Sequence, residues 1–547
     1  MNVSNLNQEP SGVLIHYVQY GNQELGPEAP YICAKELIRR NPVDTIAIQL
    51  LAHAALTCRK LKESAAYMSM ESRVIVDEDS PIFSFGFYLG KFGKTNGLIV
   101  FYNKVRTKEP YDWHIHVLLA GLYKFAGDKE KCTSFLRMGQ FLRAAIEGDE
   151  KTDIHHNLAK YKYTVANEDE IHWIYFITGT VTIRILKLAD ALRGANYKVR
   201  LFIPETIAAE FKNKDAFDLV TSYSDAAELL DILDARATKA IHCFLAGVTG
   251  YLEALYALCI APHQMAIDIY DMADPSISAL TRLEEDSTVW SGLQRTYKLQ
   301  RFLLNHARNI CARPLYAKIQ KSYLSISNQR RIFFPELAWG KNLSNPSRKL
   351  SNKDGILRVV HGGSYLSEKS AGSPWAGLGW LAEKAKELGV HFHLYAVPWT
   401  DQDMGEYEKF DKESPNFHLH DPVSYQEWLT AIEQYDVAIQ YIHPADPALE
   451  GSAPRAIDPS GTWANKMGDN LDAEIYTVNS WKYKLMSFIN RHYGVGESVT
   501  LEEVQDKAFW DKLKTNVLGG KVDFTKARKH LTNDAQIHRL IRFYEGI

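Results

Sequence analysis

Two glycines and a serine, Gly362-Gly363-Ser364, stand where the apolar run GILRVV gives way to a loop. Glycines at a strand-to-helix step let backbone N–H groups come near phosphate oxygens, and Lys369 follows five residues after Ser364 with a charge of matching sign. Further on, ANKMGDNLDAE places Lys466 and Asp469 three residues apart, on one face of a helix. Asp271 and Asp274, in YDMAD, close a strand pattern, where carboxylates bind hydroxyls or act as a base. Glu450 lies in the polar loop from Pro444 to Gly461. Gly179-Thr180 and Gly247 follow two other apolar runs and would let a ligand approach backbone N–H groups at helix starts. Each residue also has a plain use: a glycine that turns the chain, a carboxylate that caps a turn, a lysine in solvent. His391 and His393 alternate on one strand, as do His418 and His420, so two pairs can converge on one face. No carboxylate or cysteine pattern accompanies them, and no metal is expected. The chain has no GxGxxG opening a helix, no P-loop and no G-x-S-x-G elbow.

Elements must hold these residues, and 547 residues exceed one core; the length predicts three or four domains. A hydrophobic fraction of 46% with 24% charged residues is globular composition. Lys plus Arg is 63 against 66 Asp plus Glu, a net charge of −3, which gives no electrostatic reason to expect nucleic acid. The six cysteines (33, 58, 132, 243, 259 and 311) form no CxxC, which fits a reducing cytoplasm rather than a disulfide scaffold. The polar start MNVSNLNQEPSG lacks a signal pattern. The 22-residue stretch Ala240 to Ala261 is apolar enough to raise a membrane span. Gly247 and Gly250 interrupt it, so a buried strand, a turn and a helix are expected instead, with no transmembrane segment.

The first 150 residues read as helix pairs. Prolines 42, 81 and 110 fall 39 and 29 residues apart, around the 34-residue period of a helix-turn-helix repeat. In DWHIHVLLAGLYKFAGDKEKCTSFLRMGQFLR, Ala120 and Gly121 would allow close helix packing and Gly127-Asp128 a tight turn. Residues 30–150 resemble a tetratricopeptide array after an extension, 1–29; such an array implies a groove for a protein partner or self-association.

From residue 170 strands alternate with helices. IHWIYFITG, KVRLFIP, DLVTSY, AIHCFLAG and QMAIDIYDMAD read as strands, with helical spacing between them and Ser224-Asp225 as a helix cap. After a turn-rich linker, 342–355, the rhythm resumes with GILRVVHGGSYL, HFHLYAVP, NFHLHDPV, DVAIQYIHP and IYTVNS, and the tail from Asp511 reads as mostly helical. This predicts an α/β chain with two Rossmann-like doubly wound domains, 151–341 and 356–547, whose strand ends would bind ligands.

The order GILRVVHGGSYLSEKS, HFHLYAV, NFHLHDPVSYQEWLTAIEQYDVAIQYIH and ANKMGDNLDAEIYTVNS resembles the donor-binding half of a GT-B glycosyltransferase. It is most similar to the large retaining family of bacterial sugar transferases. The resemblance spans about residues 171–547. It implies a glycosyltransferase that moves a sugar from a nucleotide-sugar donor to a protein or glycan, with retention and without a metal or other cofactor. On the donor side it implies Gly362, Gly363, Ser364, Lys369, Asn465, Lys466 and Asp469, with Lys369 neutralising the leaving diphosphate and Asp469 receiving the ribose hydroxyls. Asp271 and Glu450 are the further catalytic candidates, and Gly179, Thr180 and Gly247 would lie on the acceptor side. The chain departs from the family pattern at three places: Ser364 replaces the first of two basic residues, Gly461 a glutamate, and Glu474 and Tyr476 a glycine-proline step. A binding or scaffold protein of the same fold, without turnover, is the alternative those departures imply.

Overall fold

A computed structural model describes residues 8–20, 28–40, 50–51, 54–55, 81–92, 95–147, 172–246, 249–269, 288–312, 330–341, 344–365, 378–398, 404–440, 466–481 and 483–546. It divides into two compact units. One is Met1–Lys162 with Leu230–Leu233; the other is Tyr163–Leu229 with Asp234–Ile547.

The described part of residues 8–147 is helical. Its best-defined helices are Pro81–Phe92, Thr95–Lys108, Trp113–Ala126 and Lys129–Glu147. Asp112 caps the third by accepting the His114 N–H at 3.0 Å. Gly127, at φ +82°, ends it in the left-handed conformation, and Asp128 accepts the Lys131 N–H at 2.9 Å to start the next. The expected turn at Gly127-Asp128 is therefore present. Helices Pro81–Phe92 and Trp113–Ala126 meet backbone to backbone. A Cβ on Gly86 would stand 2.1 Å from the Leu118 carbonyl oxygen, and one on Gly121 2.2 Å from that of Phe83. Gly86→Ala and Gly121→Ala are each expected to lower stability by about 1–3 kcal/mol, since the helices must separate to admit a methyl group. An unchanged urea midpoint would show that these helices do not cross there.

The larger unit holds two parallel sheets. The first comprises β1 (Trp173–Thr178), β2 (Lys198–Pro204), β3 (Leu219–Tyr223), β4 (Ala240–Leu245), β5 (Met265–Ile269), β6 (Asn309–Ala312) and β7 (Arg330–Phe333). Their spatial order is β3-β2-β1-β4-β5-β6-β7. The second comprises β8 (Leu357–Tyr365), β9 (Val390–Pro398), β10 (Phe417–His420), β11 (Val437–Gln440), β12 (Tyr476–Ser480) and β13 (Gly496–Val499), ordered β10-β9-β8-β11-β12-β13. Both orders reverse direction beside their first strand, the switch point at which doubly wound sheets open a crevice. The fold is thus α/β with two Rossmann-like sheets and a helical N-terminal region, as expected. Strands β4, β5 and β11 are buried along their whole length, which is why each reads as an apolar run with a single polar residue rather than an alternating one.

Strands β6, β7 and β13 escape the sequence reading. Each has four residues, and GESV and RRIF carry no apolar run. The linker region is also better anchored than its composition suggests: the Ser351 hydroxyl donates to Asp436 at 2.8 Å and the Leu350 N–H to the Gln434 carbonyl at 3.0 Å. The stretch 240–261 forms β4, a turn and helix Tyr251–Ile260. Among the described residues no helix is long and apolar enough to cross a membrane.

Helix Asn533–Glu545 leaves the second sheet and packs its apolar face into the core of the first, where Ile537, Leu540 and Tyr544 join Leu188, Leu192 and Ile174. The Asn533 N–H donates to the Ala338 carbonyl at 2.8 Å and the Ala338 N–H to the Leu531 carbonyl at 2.9 Å. The Tyr544 hydroxyl meets His242 Nδ1 inside the first lobe.

Candidate functional site

Strand β8 lies between β9 and β11 and carries the two glycines at its carboxyl end. Both are needed for space. A Cβ on Gly362 would stand 2.5 Å from the Trp428 ring. Gly363 has φ +123°, a conformation that favours glycine, and a Cβ there would lie 1.9 Å from the Lys466 ammonium. The lysine opens helix Lys466–Asp472. Sequence reading brings Gly363 and Lys466 to one site, and the structure puts them in contact.

Lys466 forms no hydrogen bond or ion pair among the described residues. Burial lowers its pKa to about 8, with Asp469 only partly opposing that shift. An ammonium shielded from water without an ion-paired anion among the described residues could receive one. The same lysine adds to burial in holding His361, on β8, at about 3. His361 is fixed by its Nδ1 on the Ile439 carbonyl at 2.9 Å.

Asp469 is 4% exposed and already engaged. Its Oδ1 accepts from Lys187 Nζ at 2.8 Å and from the Tyr425 hydroxyl at 2.8 Å. Lys187 comes from helix Ile183–Gly194 of the first lobe and also reaches Glu336 at 3.9 Å. Burial lowers the Lys187 pKa, but Asp469 and Glu336 outweigh it and the ammonium is held charged. Burial and Asp469 together push the Tyr425 hydroxyl far up. Asp472, a turn further on, accepts the backbone N–H groups of Trp339 at 2.6 Å and Gly340 at 3.0 Å. The carboxylate expected to face a ribose thus also joins the two lobes. Glu474 lies in the left-handed region at φ +51° and makes an ion pair with Arg528 at 2.9 Å.

Gln440, at the end of β11, is 2% exposed, and neither its Nε2 nor its Oε1 has a hydrogen-bond partner among the described residues. Lys187, Tyr425, Trp428, His361 and Gln440 were not singled out from sequence. A signal existed for Lys187: Arg184 and Lys187 sit three apart on the apolar face of IRILKLADALRG.

On the first sheet, Gly179 and Thr180 follow β1. A Cβ on Gly179 would be 2.8 Å from the Gly250 nitrogen, so this glycine admits the neighbouring turn. Asp271, Asp274, Gly247, Lys369, Glu450 and Asn465 lie outside the described residues, as does the Ser364 side chain.

The four strand histidines do converge, as two hydrogen-bonded dyads. His391 Nδ1 meets His418 Nε2 at 2.8 Å and His393 Nδ1 meets His420 Nε2 at 3.0 Å. The ring planes of the first dyad are within 4° of parallel and those of the second within 16°, and with one nitrogen of each pair protonated an N–H bridges to the other. Among the described residues, the cluster with ligand atoms close enough to share an ion is His242, Asp268 and Cys311. A cation already sits there: Arg184 reaches Asp268 Oδ2 at 2.8 Å and Cys311 Sγ at 3.5 Å. Burial raises the Asp268 carboxyl, but Arg184 and His242 overcome this and bring it to about 2.

No protein-family model and no curated protein matches this chain. Among solved structures it is similar to an O-GlcNAc transferase of Thermobaculum terrenum, at 12% identity and a TM-score of 0.43, over 100% of this chain and 98% of that one. An Anabaena protein, HepE, in complex with UDP and glucose, aligns at 12% identity and a TM-score of 0.46, over 68% of this chain and 98% of that one. A putative UDP-N-acetylglucosamine 2-epimerase of Listeria monocytogenes aligns at 9% and 0.41, over 68% and 95%. At these values the likenesses decide neither activity nor substrate.

Proposed function

We propose that this protein is a glycosyltransferase that moves a sugar from a nucleotide-sugar donor to a protein or glycan acceptor, with retention of configuration and without a metal. The observation that carries this reading is the contact between Gly363, held at φ +123°, and the unpaired ammonium of Lys466 at the carboxyl edge of the second sheet. Backbone N–H groups of Gly362, Gly363 and Ser364 would face the diphosphate, with Lys466 and Lys369 as its cations. As the bond between the sugar and the diphosphate breaks, negative charge grows on the leaving oxygen. A preorganised, desolvated ammonium stabilises that charge more than water does. Asn465 and Asp469 would hold the ribose side. Asp271 and Glu450 are the candidate base and sugar contact, and Gly179, Thr180 and Gly247 would border the acceptor. The helices of residues 30–150 would act as a tetratricopeptide-type stack that recruits a protein acceptor or a second copy.

One observation favours the alternative, a binding protein without turnover: the Asp469 oxygen is already engaged by Lys187 and Tyr425. Titration of UDP, GDP and CMP and their sugars, with donor hydrolysis measured alongside, separates the two. Hydrolysis or transfer supports the enzyme, and binding without either supports the alternative. Lys466→Met is expected to weaken nucleoside-diphosphate binding about 10- to 100-fold, the range of a charge-assisted hydrogen bond. Unchanged affinity would remove Lys466 from the site.

A further inference from the structure

Gln440 stands out among the buried polar groups of the second sheet. Its strand partner Asn479 is satisfied: the Oδ1 accepts from Asn490 at 2.6 Å and from Ser498 at 3.2 Å, and the Nδ2 donates to the Ser480 carbonyl at 2.8 Å. Asn470 and Asn490 each use their Nδ2 and leave only Oδ1 open. Gln440 uses neither amide atom, at 2% exposure. Burying an unpaired amide costs roughly 1–3 kcal/mol, so such a group calls for a partner.

Its position says where that partner lies. Ala438 pairs with Val360, so two residues on Gln440 comes alongside Gly362, with the side chain on the same face. Adjacent strands are about 4.8 Å apart. The amide therefore borders Gly362, and the next residue along the strand, Gly363, touches the Lys466 ammonium, which has no partner among the described residues. A phosphate oxygen suits the lysine but not the amide oxygen, because both are acceptors only. A sugar hydroxyl both donates and accepts, and it matches a carboxamide offering one of each.

We propose that Gln440 is a recognition residue for sugar hydroxyls carried next to a diphosphate held by Lys466. The inference rests on the donor-site reading above and adds a residue and its ligand chemistry to it. Two sources carry such hydroxyls: the ribose of the nucleotide and the sugar to be transferred.

The test compares wild type with Gln440→Leu for three probes: inorganic pyrophosphate, UDP and the nucleotide-sugar that wild type binds best. The expected result is unchanged pyrophosphate affinity, an unchanged or raised melting temperature, and a 10- to 100-fold loss for a sugar-bearing probe. A loss already present with UDP assigns the amide to the ribose; a loss confined to the nucleotide-sugar assigns it to the transferred sugar. Equal affinities for all three probes, or an equal loss that includes pyrophosphate, would overturn the assignment. Should Gln440→Leu fail to fold, the near-isosteric Gln440→Glu carries the same comparison, with the same sugar-dependent loss expected. A wild type that binds none of the probes would defeat the donor-site reading itself; binding that ignores Gln440 would defeat only this inference.

Discussion

Replacing Lys187 by methionine is expected to lower stability by about 3–5 kcal/mol, the usual cost of leaving one member of a buried ion pair without the other. Lys187 is 1% exposed, and its ammonium lies 2.8 Å from Asp469 across the junction of the two lobes. Asp469→Asn should cost less, because the amide oxygen still accepts from Lys187 and Tyr425. Lys187→Met combined with Asp469→Leu should recover part of the loss, since neither partner then remains as an unpaired charge. Urea unfolding of the three variants measures this directly. A Lys187→Met variant as stable as wild type would mean the pair is solvated and does not join the lobes. The same pair bears on function: nucleotide binding that draws Asp469 to a ribose must compete with Lys187 for its oxygens.

Acidification should destabilise the protein between pH 6.5 and about 4.5. Burial lowers the pKa of His393 to about 2, with His418, His420, Arg358 and His391 adding to the effect. Burial, with Lys466, lowers His361 to about 3. His391, His418, His420 and His242 are also lowered, burial being the largest cause in each. Asp354, Asp411 and Asp421 pull the other way on the exposed sides of the dyads. The unfolded chain takes up protons near pH 6.5 and the folded one does not, so stability is full above that value and falls as pH drops toward the folded values. At pH 4.5 His393 and His361 alone account for about 3 kcal/mol each. Four carboxyls raised chiefly by burial, Asp472 at about 6 with Asp436, Asp534 and Glu253, oppose this, because their charged forms are disfavoured in the fold and acid relieves them. With six histidines, two of them shifted to about 2 and about 3, against four carboxyls, a net loss is expected. Urea midpoints at pH 7.5 and 5.0 test it, and His393→Gln should flatten the slope. A midpoint that does not change with pH would contradict the neutral dyads.

What the sequence made legible follows from locality. Apolar-rich strand patterns and the helical spacing between them are short-range, and ten of the thirteen strands fall within segments that read as strands. The histidines declared their shared face through spacing alone, although that they would hydrogen-bond to one another depends on how β9 and β10 register. Gly363 and Lys466 could be paired only through a motif. The return of helix Asn533–Glu545 to the first lobe had no signal, because amphipathicity says that a face is buried and not against what. Lys187 and Asp469 are 282 residues apart, and nothing near either predicts the other. Gln440 was invisible for a related reason: a glutamine inside VAIQ reads as the end of a strand, and only the lack of hydrogen-bond partners for its buried amide among the described residues distinguishes it.

The central claim is that Lys466, poised near a pKa of 8 beside Gly363, receives a diphosphate. Binding of an anion raises the ammonium pKa, so UDP should bring a proton with it at pH 8.5. Calorimetric titration of UDP in two buffers of different ionisation enthalpy measures that proton. The account predicts uptake of a large fraction of one proton by wild type and none by Lys466→Met. Binding with no proton uptake, or identical uptake in both proteins, would contradict it.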